Sequence, residues 1–164
     1  MKLTSRLLIV FLIFYSTATL AQKNITNQLI GYSRLITGGA QQVDESGNAI
    51  ENIRYQYQIF LSTAKQQMPT VKNLWIKGQH YKAQLIPVKS LPVTINIEKK
   101  KIVLVKKTSM YVWQFLLTPD STKNSTKVNE NKLLQQNEVV CTLYGSTKNI
   151  VLKKLTALPD MMTE

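Results

Sequence analysis

One histidine, one cysteine and nine acidic residues are all that this chain offers to acid–base, nucleophilic or metal chemistry. Hydrolysis by a serine or cysteine nucleophile commonly needs a histidine base that a carboxylate orients. The single candidate, His80, stands beside Tyr81 just after the turn signal Lys77-Gly78, and that setting predicts an exposed or rim histidine. Sites built from several histidines or from paired thiolates are excluded by count. Asp44-Glu45 near Gly47 comes nearest to a carboxylate cluster, but its spacing suits a turn better than a calcium loop. A glycosidase needs two carboxylates across a cleft, and Asp44, Glu45, Glu51, Glu98, Asp120, Glu130, Glu138, Asp160 and Glu164 favour no particular pair. Gly38-Gly39 is a turn signal rather than a phosphate-cradling loop, and no dinucleotide fingerprint is present. No catalytic residue, cofactor or metal ligand is therefore assigned, and the chain reads as non-enzymatic.

Cys141 lies in Val139-Val140-Cys141-Thr142-Leu143, where period-two alternation puts it on one strand face with Val139 and Leu143. That predicts a buried thiol acting as a small hydrophobe rather than a nucleophile. As the only cysteine, it cannot form an internal disulfide.

The remaining chemistry is basic. Lysines cluster at Lys99-Lys100-Lys101, Lys106-Lys107 and Lys153-Lys154. The first two clusters flank one short apolar run, which at about 3.3 Å per residue sets them roughly 15–20 Å apart. Lysines at strand ends deter edge pairing, and the same residues are the candidate patch for an anionic glycan or lipid surface. Arginine is scarce, which argues against bidentate recognition of bases or phosphates. The aromatics Tyr55, Tyr57, Trp75, Tyr81, Trp113 and Tyr144 would make a carbohydrate platform if several shared an exposed face; burial in a core is the reading preferred for them. Asn24-Ile25-Thr26 and Asn124-Ser125-Thr126 match the glycosylation acceptor pattern.

Strands must position these groups. Ile53-Arg54-Tyr55-Gln56-Tyr57-Gln58-Ile59 alternates apolar and polar, the pattern of a half-buried strand. Further strands are predicted at about Gln28 to Thr37, Val71 to Ile76, His80 to Val88, Val93 to Ile97, Ile102 to Lys106, Met110 to Leu117, Val139 to Tyr144 and Ile150 to Leu155. Met110 to Leu117 is apolar on both faces and reads as a central strand with Tyr111, Trp113 and Phe115 on one side. Gly145-Ser146 predicts a two-residue type II′ loop pairing the last two strands. Pro87 and Pro92 make the piece between them an edge, a crossing between sheets or a loop. Thr37 to Asn48 reads as a loop or an open-tipped hairpin. Short strands without helical periodicity predict an all-β fold, a single antiparallel sandwich, with a small barrel as the alternative.

At the N-terminus, Lys2 and Arg6 precede the apolar run Leu7 to Tyr15, and Thr19-Leu20-Ala21 supplies small residues for cleavage. This order predicts a signal peptide over 1–21 and an exported chain starting near Gln22, periplasmic or secreted. The run is about half as long as a membrane span requires. The expected domain covers 22–158, with 119–136 a mobile loop in which Leu133 to Gln136 could make a helical turn, and 159–164 a frayed tail. Without Lys2 and Arg6 the chain keeps nineteen basic residues, seventeen of them lysine, against nine acidic, a net charge of +10. That balance favours anionic partners, and export argues against genomic nucleic acid.

Asn73-Leu74-Trp75-Ile76-Lys77-Gly78-Gln79, together with the closing lysine-rich hairpin Glu138 to Leu155, resembles small exported bacterial proteins of unknown function with an immunoglobulin-like sandwich. The resemblance covers about half the mature chain and implies the same fold and compartment; it brings no catalytic residues. The function expected is an envelope or secreted binding module for a protein or envelope component. The alternatives are an electrostatic binder of anionic glycan or lipid through the lysines, and an uncharacterised hydrolase.

Overall fold

Beyond the alternation of Tyr55 to Gln58, the chain runs on through Ile59-Phe60-Leu61-Ser62-Thr63 with every residue buried. A strand that loses its polar alternation is covered on both faces, and the architecture follows from what covers it. The computed structural model describes residues 26–38, 42–43, 46, 49–50, 54–97, 99–120 and 132–163. The leader expected over 1–21, Asp44-Glu45, and the acceptor asparagines Asn24 and Asn124 lie outside the described residues.

The strands are β1 (Gln28–Gly38), β2 (Gln42–Val43), β3 (Ala49–Ile50), β4 (Arg54–Thr63), β5 (Val71–Ile76), β6 (Gln79–Pro87), β7 (Val93–Ile97), β8 (Lys100–Val105), β9 (Tyr111–Pro119), β10 (Val139–Leu143), β11 (Asn149–Leu152), β12 (Thr156–Ala157) and β13 (Met161–Thr163). A short helix, α1 (Lys132–Gln136), precedes β10 and buries Leu134. The main sheet runs β11-β10-β5-β6-β9-β4-β1-β12, with β13 also on β1. The pairs β2–β3 and β7–β8 form separate hairpins.

The main sheet curls around one core. Leu29, Ile59, Leu61, Leu74, Ile76, Tyr81, Leu85, Trp113, Phe115, Val139, Cys141, Leu143 and Leu155 meet inside it. A second core lies on the outer face, where Phe60, Val112 and Leu158 pack with Leu104 and Val105 of β8, flanked by Val93, Ile95 and Ile97 of β7. The β7–β8 hairpin thus covers β4 from outside, while the curl covers it from inside. The piece between Pro87 and Pro92 is the crossing that carries the chain out of the sheet to this hairpin, anchored by Val88 N–H donating to the Val112 carbonyl at 2.9 Å.

The all-β expectation stands, with a correction: the sheet is mixed and curled. β12 and β13 run parallel to β1, pairing Tyr32 with Thr156 and Ile36 with Met161. Beyond β11 the chain reaches the β1 edge that β4 leaves open and follows it in the same direction. The tail expected to fray therefore extends along β1 as far as Thr163.

Turn chemistry accounts for two hairpins. Between β5 and β6, Lys77 and Gly78 take φ of 47° and 78°, the double positive φ of a type I′ turn. The β10–β11 pairing is as expected, but its turn is not: the last paired residues are Thr142 and Asn149, so the connection is wider than two residues. Gly145, at φ 73°, holds the second central position of a turn that Ser146 N–H closes on the Leu143 carbonyl at 3.2 Å.

The curl brings β11 against β1 at Gly31. A Cβ there would meet Leu155 Cδ2 at 2.6 Å, Leu152 Cδ2 at 2.8 Å and Ile59 Cδ1 at 3.0 Å. Gly31→Val is expected to cost about 1–3 kcal/mol, the range for overpacking a filled core, read as a lower urea midpoint at unchanged slope.

Candidate functional site

Thr63 ends β4 and is buried. Its hydroxyl accepts a hydrogen bond from Trp113 Nε1 at 2.9 Å and donates to the Lys65 carbonyl at 2.9 Å, fixing the start of the 64–70 connection on the core. The end of that connection is fixed from the other side, since Tyr144 N–H donates to the Thr70 carbonyl at 2.9 Å. A register shift at Thr142/Leu143 re-aims the end of β10 there. The Ser146 hydroxyl donates to the Lys148 carbonyl at 3.0 Å and accepts from Lys148 N–H at 3.2 Å, stiffening the turn. Between the two loops lies an open cleft of ≈ 490 Å³, lined among others by Asn27, Lys65, Gln67, Met68, Thr70, Leu143, Tyr144 and Ser146. Its volume falls in the range of small-ligand sites. Among the described residues, Lys65 is the only charged one in the lining, and no carboxylate contributes. Met68 and Tyr144 offer apolar surface at 53% and 64% exposure.

The histidine is not on the rim. His80 lies on the outer face of β6, buried, with Nδ1 3.1 Å from Asp120 Oδ2 and its ring edge-on to Trp75 at 4.9 Å between centroids. The two side chains are 5% and 4% exposed. His80 and Asp120 are also tied through their backbones, Asp120 N–H donating to the His80 carbonyl at 3.0 Å. His80 Nε2 is buried without a hydrogen-bond partner among the described residues. Sequence reading misplaced this residue because its carboxylate partner arrives from the end of β9, forty residues on.

Cys141 is fully buried in the inner core, and burial pushes its thiol up to about 12. Reactivity requires the thiolate, so a thiol reagent such as Ellman's is expected to label Cys141 at neutral pH only as fast as the protein unfolds; prompt labelling of native protein would contradict this. The same shift gives a pH dependence. The folded thiol keeps its proton above the ordinary value of 9.0, so this contribution to stability is whole below pH 9 and is lost as pH rises through about 12. Burial, followed by the neighbouring Tyr81, Tyr55 and Glu138, raises Tyr57 to about 12 and adds to the loss in the same alkaline window.

The lysines stand on three separate stretches of the chain. Lys99 to Lys101 sit at the turn and start of β8, Lys106 and Lys107 follow its far end, and Lys153 and Lys154 lie between β11 and β12. All are exposed. The aromatics separate as well: Tyr57, Tyr81 and Trp113 pack inside, while Tyr55 lies beneath Lys77 Nζ, 5.1 Å from its ring centroid, beside the β5–β6 turn. Tyr144 lies at the opposite end of β5, against Thr70. Glu138 faces Lys77 Nζ at 4.0 Å and accepts from Leu155 N–H.

No family model, curated protein or solved structure matches the chain. Among the described residues, no helix is long and apolar enough to cross a membrane, and no group of three or more His, Cys, Asp or Glu could hold a metal ion.

Proposed function

We propose that the chain is an exported, non-enzymatic binding module whose ligand is received in the cleft between the β4–β5 connection and the β10–β11 turn. The cleft carries this reading, because its loops are fixed at both ends by hydrogen bonds to the rigid sheet while Tyr144 and Met68 stay exposed. Loops held in this way are where β scaffolds carry recognition. Export rests on the charged start, apolar run and Thr19-Leu20-Ala21. The non-enzymatic reading draws support from the burial of the only cysteine and the only histidine. Photocrosslinking from position 67, with position 116 on the outer face of β9 as reference, tests it.

The second reading is electrostatic binding of an anionic glycan or lipid surface through Lys99, Lys100, Lys101, Lys106, Lys107, Lys153 and Lys154. Its supporting observation is that these lysines are exposed, with Val103 between the first two clusters 44% exposed. It requires affinity that falls steeply with salt. For the fold, the outer hairpin layer supports an immunoglobulin-like sandwich, whereas the curl of the main sheet around its own core favours the barrel alternative.

A further inference from the structure

We propose that the ligand of this cleft is an acidic oligosaccharide, an inference that rests on the binding-module reading. Three features of the lining select that class. First, Asn27 and Gln67, two residues with side-chain amides, line the cleft. Each amide both donates and accepts, which matches sugar hydroxyls, themselves donors and acceptors. Second, Tyr144 presents an aromatic ring at 64% exposure on a backbone held by Thr70, a shelf for the apolar face of a pyranose ring. Third, among the described residues the lining pairs Lys65 with no carboxylate, in a chain whose net charge without Lys2 and Arg6 is +10, so an acidic sugar meets attraction. Other classes fit less well. Among the described residues no arginine lines the cleft to grip phosphates, and Met68 is the one large aliphatic side chain strongly exposed there, too little to hold an acyl chain or the anchors of a peptide.

The test is titration calorimetry at physiological salt with tetragalacturonate, maltotetraose as the neutral sugar of equal length, and an acidic hexapeptide. The variants are Tyr144→Ala, Lys65→Ala and a Lys99/Lys100/Lys101→Ala triple change, all at exposed positions and each checked for an unchanged melting temperature. Tetragalacturonate is expected to bind best. Its affinity should fall about tenfold in Tyr144→Ala and severalfold in Lys65→Ala, and stay unchanged in the triple variant. Three results would each overturn the assignment: loss of binding in the triple variant alone, preference for the acidic peptide, or no saccharide binding at millimolar concentration. If saccharides fail while position 67 captures a polypeptide in cells, the ligand class is wrong and the binding-module reading stands; failure of both removes both.

Discussion

Phe60→Ala is expected to cost about 3–5 kcal/mol, the range for truncating a buried aromatic. Phe60 is 1% exposed and stands on the outer face of β4, beneath the β7–β8 hairpin, among Leu104, Val105, Val112 and Leu158. Its removal leaves a hole between two layers that short strands hold apart, so the layers cannot close over it without shifting the hairpin. Because a domain of this size has a total stability of about 5–15 kcal/mol, the loss is a large share of it. Urea unfolding measures the effect, and hydrogen exchange adds a local readout: amides of β7 and β8 should lose protection before those of β5 and β10. Phe60→Leu, which keeps most of the volume, should cost far less. A Phe60→Ala midpoint close to that of the parent would show that the hairpin does not depend on this contact.

Asp120→Ala is expected to cost about 1–3 kcal/mol, because removing the carboxylate leaves the buried His80 donor without its acceptor. Asp120 Oδ2 lies 3.1 Å from His80 Nδ1 with both side chains nearly sealed. The carboxylate accepts, so Nδ1 is the donor of this pair. Since Nε2 has no described partner, removing the carboxylate leaves both ring nitrogens unpaired in the protein interior. Asp120→Asn keeps an acceptor oxygen and should lose only about 1 kcal/mol. Nitrogen-15 chemical shifts of the ring report the tautomer in the parent protein. Unfolding midpoints of Asp120→Ala and the parent that coincide, or an Nδ1 found without a proton, would contradict this arrangement.

Strands were legible because alternation and β-branched residues are local signals. Val71 to Ile76 and Val93 to Ile97 coincide with β5 and β7, and the burial of Cys141 followed from its parity with Val139 and Leu143. What the sequence hid is set by distant neighbours. The strand through Tyr55 and Tyr57 seemed to end at Ile59 because Phe60 breaks the alternation; it does so because the β7–β8 hairpin covers the outer face. Tyr111 shares parity with Trp113 yet is 43% exposed, since the core lies against the middle of β9 rather than its first residue. Of the 119–136 segment expected to be a loop, Pro119 closes β9, Lys132 to Gln136 form α1, and 121–131 lie outside the described residues. The cleft was legible only through Tyr144, one of six aromatics considered for a carbohydrate platform. Asn27, Lys65 and Gln67 carry no motif; they become neighbours because the β4–β5 connection and the β10–β11 turn reach the same end of the curled sheet.

The binding-module reading is tested most directly in intact producing cells, with a photocrosslinking amino acid at position 67 in one strain and at position 116 in another. The mature N-terminus is read by mass spectrometry from the same samples. The expected result is a discrete adduct from position 67, none from position 116, and a chain starting near Gln22. Equal capture from both positions, no adduct from position 67, or a chain that retains residues 1–21 would contradict it.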